Sequence, residues 1–180
     1  MTADHRIRRA VPDDAETIAA LGRDTFLETF VEGFAIPYPP EDLEHFLAHS
    51  YSGRFAADRL SDPARAVWLA EDAEGRVLAY AAAGPARLPH PEVRPGDGEL
   101  EALYVRRDAQ GRGVGAGLLA AALAWLEREG PRTLWIGVWS GNARAQQLYA
   151  RHGFTKAGEY DFPVGRWRDR EWILRRPVGG

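Results

Sequence analysis

The sequence predicts a mixed α/β domain in which strands alternate with helices. Three features carry that expectation: β-branched and aromatic runs of strand length, amphipathic runs closed by glycine or proline, and a glycine-dense turn between one strand and one helix. With 180 residues and 45% apolar side chains, the chain can bury a core as a single domain, residues 1–180, without disulfide or metal staples.

Residues 7–9 read as a short first strand. Pro12, Asp13 and Asp14 then open a helix, because proline suits the first turn, acids suit its positive dipole end, and Ile18 and Leu21 share one face. Residues 34–40, rich in aromatics and proline, read as a loop, and Pro40 opens a second helix with Leu43, Phe46 and Leu47 on one side. Residues 66–71 and 77–83 flank the turn-forming segment 72–75 and predict a hairpin. Three prolines and two glycines make 87–98 a loop. Residues 100–105 read as a strand, 110–117 as a turn, and 118–129 as an Ala- and Leu-rich helix stopped by Gly130 and Pro131. Residues 133–139 form the next expected strand, 142–152 a helix closed by Gly153, and 156–161 and 172–175 two final strands. That order builds a mixed sheet.

Composition excludes several kinds of chemistry. The lack of cysteine removes thiol nucleophiles, iron–sulfur clusters, cysteine zinc sites and disulfide scaffolds. The longest apolar-leaning stretch, 114–126, has 13 residues and two glycines, short of the roughly 18 that a bilayer span requires. The first ten residues carry three arginines and no apolar stretch, unlike a secretory signal, so a cytoplasmic location is expected. A net charge of −3 and a pI near 6.0 argue against nucleic-acid or membrane partners. His45 and His49, one helical turn apart, have a spacing that can hold zinc, but no third ligand stands nearby and no metal is expected. Trp125, Trp135 and Trp139 read as core, and His152 as a helix-end residue.

The segment with chemical content runs from Gln110 to Ala116, with glycines at 111, 113 and 115. Glycines turn the backbone tightly and leave no Cβ between the amides and a ligand, and the unpaired N–H groups of the following helix favour a pyrophosphate. A mononucleotide loop is excluded, since no lysine is present there. A dinucleotide reading could use Gly111, Gly113 and Ala116, but the next strand ends in Trp139 and Ser140 rather than in the acid that would hold a ribose.

Gln110 to Gly115 reads Q-x-x-G-x-G after the strand Glu101-Ala102-Leu103-Tyr104-Val105, and resembles the acyl-CoA signature of the GNAT N-acyltransferase superfamily. Asn142, Tyr149 and Gly153-Phe154 follow in a pattern similar to that family's N-x-x-A-x-x-x-Y-x-x-x-G-F helix. The resemblance implies the GNAT acyl-CoA N-acyltransferase fold: a mixed, mostly antiparallel sheet of six or seven strands with helices on both faces. It also implies acetyl-CoA as co-substrate. Leu103, Tyr104 and Val105 would then offer backbone groups to the pantetheine arm, while Gly111, Arg112, Gly113, Val114, Gly115 and Ala116 cradle the pyrophosphate. Asn142 would touch the pantetheine, and Tyr149 would sit beside the sulfur.

An alkyl ammonium has a pKa of about 10.4, so a base must take its proton before it attacks a thioester. Glu99 and Glu101 lie two apart on one strand face, where mutual repulsion raises the proton affinity of at least one. By resemblance Glu101 is the expected base, with Glu99 an alternative base or a contact for a cationic substrate. The Tyr149 phenol is the expected acid for the departing thiolate, and a strand amide within 103–105 the expected donor to the carbonyl oxygen.

Residues 1–60 contain 11 acids and 6 bases, which makes the amino-terminal part the acidic one and suits a cationic acceptor. Thr25 to Phe30, Gly137-Val138-Trp139, and Phe162-x-Val164-Gly165 followed by Asp169 resemble bacterial PaiA-type spermidine/spermine N-acetyltransferases. That resemblance implies a polyamine acceptor, with Glu28, Glu32, Glu41 and Asp42 as candidate amine contacts. A protein N-terminal or other small-amine acetyltransferase, and a non-catalytic acyl-CoA sensor, are the alternatives, and a homodimer is compatible with each.

Overall fold

The computed structural model describes residues 5–179, so the first four residues of the segment read as lacking a signal lie outside it. Seven strands form one sheet: β1 (Arg6–Arg9), β2 (Ala66–Glu71), β3 (Val77–Pro85), β4 (Gly98–Val105), β5 (Leu134–Trp139), β6 (Thr155–Val164) and β7 (Trp167–Arg176). Their order is β1-β2-β3-β4-β5-β7-β6, and only β4 and β5 run parallel. The α-helices among the described residues are α1 (Ala15–Phe26), α2 (Pro40–Ser50), α3 (Gly53–Ser61), α4 (Val114–Leu126) and α5 (Ala143–Ala150). This is the expected GNAT-type architecture. No described helix is long and apolar enough to cross a membrane.

Strand β3 explains why helices cover both faces. Its side chains alternate, so Ala79, Ala81 and Ala83 pack in the core beneath α4, while Tyr80 and Ala82 pack on the opposite face with Ile18 and Leu21 of α1 and Ala56 of α3. The alanines let α4 approach closely, and Leu118, Leu119 and Ala122 are fully buried there. Helix α2 closes a third cluster in which Phe46 and Leu47 meet Val164 of β6.

Two local features open the sheet. The parallel register between β4 and β5 lasts three pairs, Gly98 with Leu134, Glu99 with Trp135 and Leu100 with Ile136, and then the strands part. Opposite β3, Leu100 faces Ala83 and Ala102 faces Ala82, so Glu101 is the extra residue of a bulge. A bulge bends and twists its strand, which carries the end of β4 away from β5.

Strands β6 and β7 run longer than the expected 156–161 and 172–175, and three further differences from the sequence reading stand out. Helix α4 begins at Val114 rather than 118: Gly115 and Gly117 weaken the helix locally, but burial of Val114 and Leu118 outweighs that cost. Helix α3 has no counterpart in the reading, because only Ala56 of it is buried; its one sequence signal is Ser52, whose Oγ accepts the Phe55 N–H at 3.2 Å. After Phe26, α1 widens into a π-helical segment, Leu27–Gly33, which the sequence reading does not assign.

Candidate active site

The parting of β4 and β5 places a cleft of about 540 Å³ on the α4 and α5 side of the sheet, and one of about 340 Å³ on the α1 and α3 side. Leu100, Glu101, Tyr104, Gly137 and Glu171 line both, so the two clefts meet at the gap between the strands.

The larger cleft starts at the glycine turn. Gly111 (φ 83°) and Gly113 (φ 81°) adopt the left-handed conformation, and a Cβ on either would meet no atom within 4 Å. The space in front of the loop is therefore open, and the first N–H groups of α4 face it without intrahelical partners. Such a cradle fits a diphosphate. Gln110 fixes the turn: its Nε2 donates to the Val105 carbonyl (3.2 Å), and its Oε1 accepts from Arg144 of α5 (2.7 Å). Of the expected loop residues, Val114 instead turns into the core, where it is 1% exposed, and Arg112 lies outside the cleft lining.

Strand β4 supplies main-chain groups. The Arg106 N–H bonds the Leu78 carbonyl at 2.9 Å, and antiparallel partners alternate, so Tyr104 also bonds toward β3 while Leu103 and Val105 direct their N–H and C=O groups to the gap. The expected amide donors thus narrow to Leu103 and Val105. Asn142 caps α5 through Oδ1, which accepts the Ala145 N–H at 3.1 Å, and also lines the cleft. Tyr149 is 6% exposed, packs on Phe154, and reaches the cleft; burial raises its phenol above the ordinary tyrosine range. Trp139, read as core, instead lines this cleft with Phe30 and Phe34, its ring 4.5 Å from that of Phe34.

In the smaller cleft the acids divide into two kinds. Glu101 is bracketed by Arg65 Nε at 2.9 Å and Arg59 Nε at 3.4 Å. Glu99 has no such partner; its Oε2 accepts the main-chain N–H groups of Arg87 (2.6 Å) and Leu88 (3.2 Å). Burial, opposed by those bonds and helped by Glu101, pushes its carboxyl up to about 7. Glu171 of β7, which the sequence reading did not single out, is also raised to about 7 by burial, against a hydrogen bond from the Tyr160 hydroxyl at 2.7 Å. It lies 72 residues along the chain from Glu99, and no short motif connects them.

Of the acids expected to contact the amine, Glu99 lines the smaller cleft, whereas Glu28, Glu32, Glu41 and Asp42 are not brought to either one. Arg107 engages Glu28 through its main-chain N–H (3.0 Å) and Glu32 through its guanidinium (3.2 Å), tying the π-helical segment to the end of β4. Asp42 accepts the Arg166 N–H at 3.0 Å and, with Glu41, faces the β6–β7 turn. Both pairs lie outside the lining of either cleft because the helices present them to neighbouring arginines. Among the described residues, no group of three or more His, Asp or Glu side chains is arranged to hold a metal ion.

Comparison with known proteins agrees with this fold. The acetyltransferase (GNAT) family profile matches residues 23–154. An uncharacterized N-acetyltransferase of Mycobacterium tuberculosis is 31% identical over 165 residues, 92% of this chain and 98% of that one. A phosphinothricin N-acetyltransferase of Streptomyces coelicolor is 29% identical over 173 residues, 95% and 93% of the two chains. The crystal structure of the PaiA N-acetyltransferase from Thermoplasma acidophilum in complex with coenzyme A superposes with a TM-score of 0.73 at 17% identity, covering 97% of this chain and 99% of that one.

Proposed function

Because the chain belongs to the GNAT acetyltransferase family, we propose that its two clefts bring acetyl-CoA and a primary amine together from opposite sides of the sheet for direct acetyl transfer. The observation that carries this reading is the meeting of the clefts where β4 and β5 part. The diphosphate rests on the N–H groups that begin α4, and the pantetheine arm adds to the edge of β4 as a further strand would. The thioester carbonyl then points at the N–H of Leu103 or Val105, which stabilises the oxygen as it gains charge.

Glu99 is the proposed base for the ammonium proton. A carboxyl that titrates near 7 holds a proton well enough to accept it and releases it readily to water. Glu101 carries the charge of two guanidinium groups and serves to position Arg59 and Arg65. Tyr149 donates to the departing thiolate, although burial makes its phenol hold the proton more tightly than an exposed tyrosine would.

A polyamine is the acceptor we favour. Four carboxylates, Glu99, Glu101, Asp169 and Glu171, line the smaller cleft, and aromatic rings from Tyr51, Tyr104 and Phe162 offer faces to a cation. Arg59 favours a second reading, an amino-acid-like acceptor whose carboxylate it would bind, as the relative named for phosphinothricin suggests. Release of free CoA from acetyl-CoA, measured with spermidine, putrescine, phosphinothricin and methionine sulfoximine, tests both. Turnover with spermidine and not with the amino acids supports the first, the reverse supports the second, and CoA binding with no turnover on a broad amine panel would favour an acyl-CoA sensor.

A further inference from the structure

Two proton acceptances must take place at the attacking nitrogen. An ammonium carries three N–H hydrogens and the amide product keeps one, so two protons leave the nitrogen; the sulfur takes one, and one goes to water. The phenol that protonates the sulfur must itself be refilled. Resting on the N-acetyltransferase reading, we propose that Glu171 is the second proton acceptor, and that the attacking nitrogen sits between Glu99 of β4 and Glu171 of β7.

The geometry around Gly137 points there. A Cβ on Gly137 would lie 3.0 Å from Glu171 Oε2, 3.1 Å from the Tyr160 hydroxyl and 3.2 Å from Leu88 Cδ2. Strands β4 and β7 flank β5, with Glu99 opposite Trp135 and Glu171 opposite Trp139, so the two carboxylates stand on either side of the bare position at Gly137, and the Leu88 N–H holds Glu99. Glu171 lines both clefts, which is where a thioester carbon and an amine would have to meet. Tyr160 occupies Oε2 and leaves Oε1 for the substrate. The titratable and charged groups facing Glu171 are Glu99, Glu101 and Tyr104 from β4, Tyr160 from β6, Asp169 on its own strand, Tyr149 from α5 and Tyr38 from the loop after α1, with Arg59 of α3 in the same cleft. Burial raises its proton affinity most, Asp169 and Glu99 add to that, and the Tyr160 bond lowers it.

The step balances as follows. Glu99 takes one proton from the ammonium, the freed lone pair forms the C–N bond, and the carbonyl electron pair moves to oxygen. Glu171 takes the second proton from nitrogen, the pair returns, and the C–S bond breaks as sulfur takes the Tyr149 proton. One carboxyl proton refills the phenolate, and the other passes to water.

The test is the pH dependence of kcat/KM from about pH 5 to 9, with spermidine and phosphinothricin as probes. In the full chain the acid limb approaches a slope of two. Glu171→Gln keeps the Tyr160 contact; it is expected to lower kcat about 100-fold, reduce the slope to one and leave the KM for acetyl-CoA unchanged. Tyr160→Phe removes only the hydrogen bond and is expected to move the limb to higher pH, which a purely structural contact would not do. A folded Glu171→Gln protein with wild-type kcat and slope overturns the proposal, as does a Tyr160→Phe limb that stays in place, the latter deciding if Glu171→Gln does not fold. An unmodified chain that acetylates none of the amines overturns the functional reading itself, whereas an active chain indifferent to residue 171 overturns this inference alone.

Discussion

Glu101 and Arg65 form an ion pair across one face of the sheet, Oε1 to Nε at 2.9 Å, with both side chains nearly closed off from solvent. Arg59 approaches the same carboxylate at 3.4 Å, and Arg65 also contacts Asp62. The pair joins the bulge of β4 to the segment after α3, so it supports the smaller cleft from beneath.

This relationship separates the two glutamates of the strand. Removing one partner of a mostly buried pair leaves the other uncompensated, so Glu101→Gln should cost about 1–3 kcal/mol of stability while kcat stays within roughly threefold. Glu99→Gln should do the opposite: little loss of stability and a fall in kcat of about 100-fold or more. Thermal unfolding and steady-state rates on the same samples check both. If the losses are exchanged, with Glu101→Gln inactive and stable, the base belongs at 101.

Tyr149→Phe keeps the ring that packs on Phe154 and removes only the hydroxyl. We expect kcat to drop about 10- to 100-fold with the KM for acetyl-CoA nearly unchanged, because the phenol acts only as the sulfur departs. An unchanged kcat would assign the proton to water.

At Gly113 a side chain would find open space but an unfavourable backbone. Gly113→Ala should therefore cost about 1–2 kcal/mol through the left-handed conformation alone, without a steric clash. It would also push a methyl group into the proposed diphosphate cradle. Calorimetric titration with CoA should show binding weakened about tenfold or more, with kcat at saturating donor preserved. Equal affinity in the variant would move the diphosphate elsewhere.

Stability and activity should respond to pH in opposite directions. Glu99 and Glu171 titrate near 7 in the folded chain and near 4.5 when exposed in the unfolded one. Between those values the native state holds more protons, so the stability they contribute is complete below about 4.5 and is lost as pH rises through 7. The same ionisation switches the bases on. Melting temperature should fall from pH 5 to 8 while kcat/KM rises, and the Glu99→Gln/Glu171→Gln double variant should flatten the fall. A double variant with an unaltered stability profile would contradict the assignment.

Much of the larger cleft was legible in the chain. Gln110, the three glycines, Asn142 and Tyr149 act through local backbone geometry, and residues a few positions apart on a loop or helix keep their relation in any packing. Glu28 and Glu32 read as amine contacts because they are acidic and lie on early helices. Their partner, Arg107, is about 80 residues away, and only the packed fold brings it within reach. Helix α3 escaped for a related reason: with one buried residue, it has almost no apolar stripe to read.

Periodicity, turn chemistry and short motifs were enough to specify the alternating elements, the phosphate-type turn and the phenol seven residues after Asn142. Those are properties of neighbours along the chain, and they survive without knowledge of what packs against them. The separation of Glu99 from Glu101, the arrival of Glu171 opposite Glu99, and the gap that lets two clefts meet were settled by strand order and a one-residue bulge. Burial and partner charge decide how tightly a carboxylate holds its proton, and both depend on residues far apart in sequence that only the closed sheet brings together.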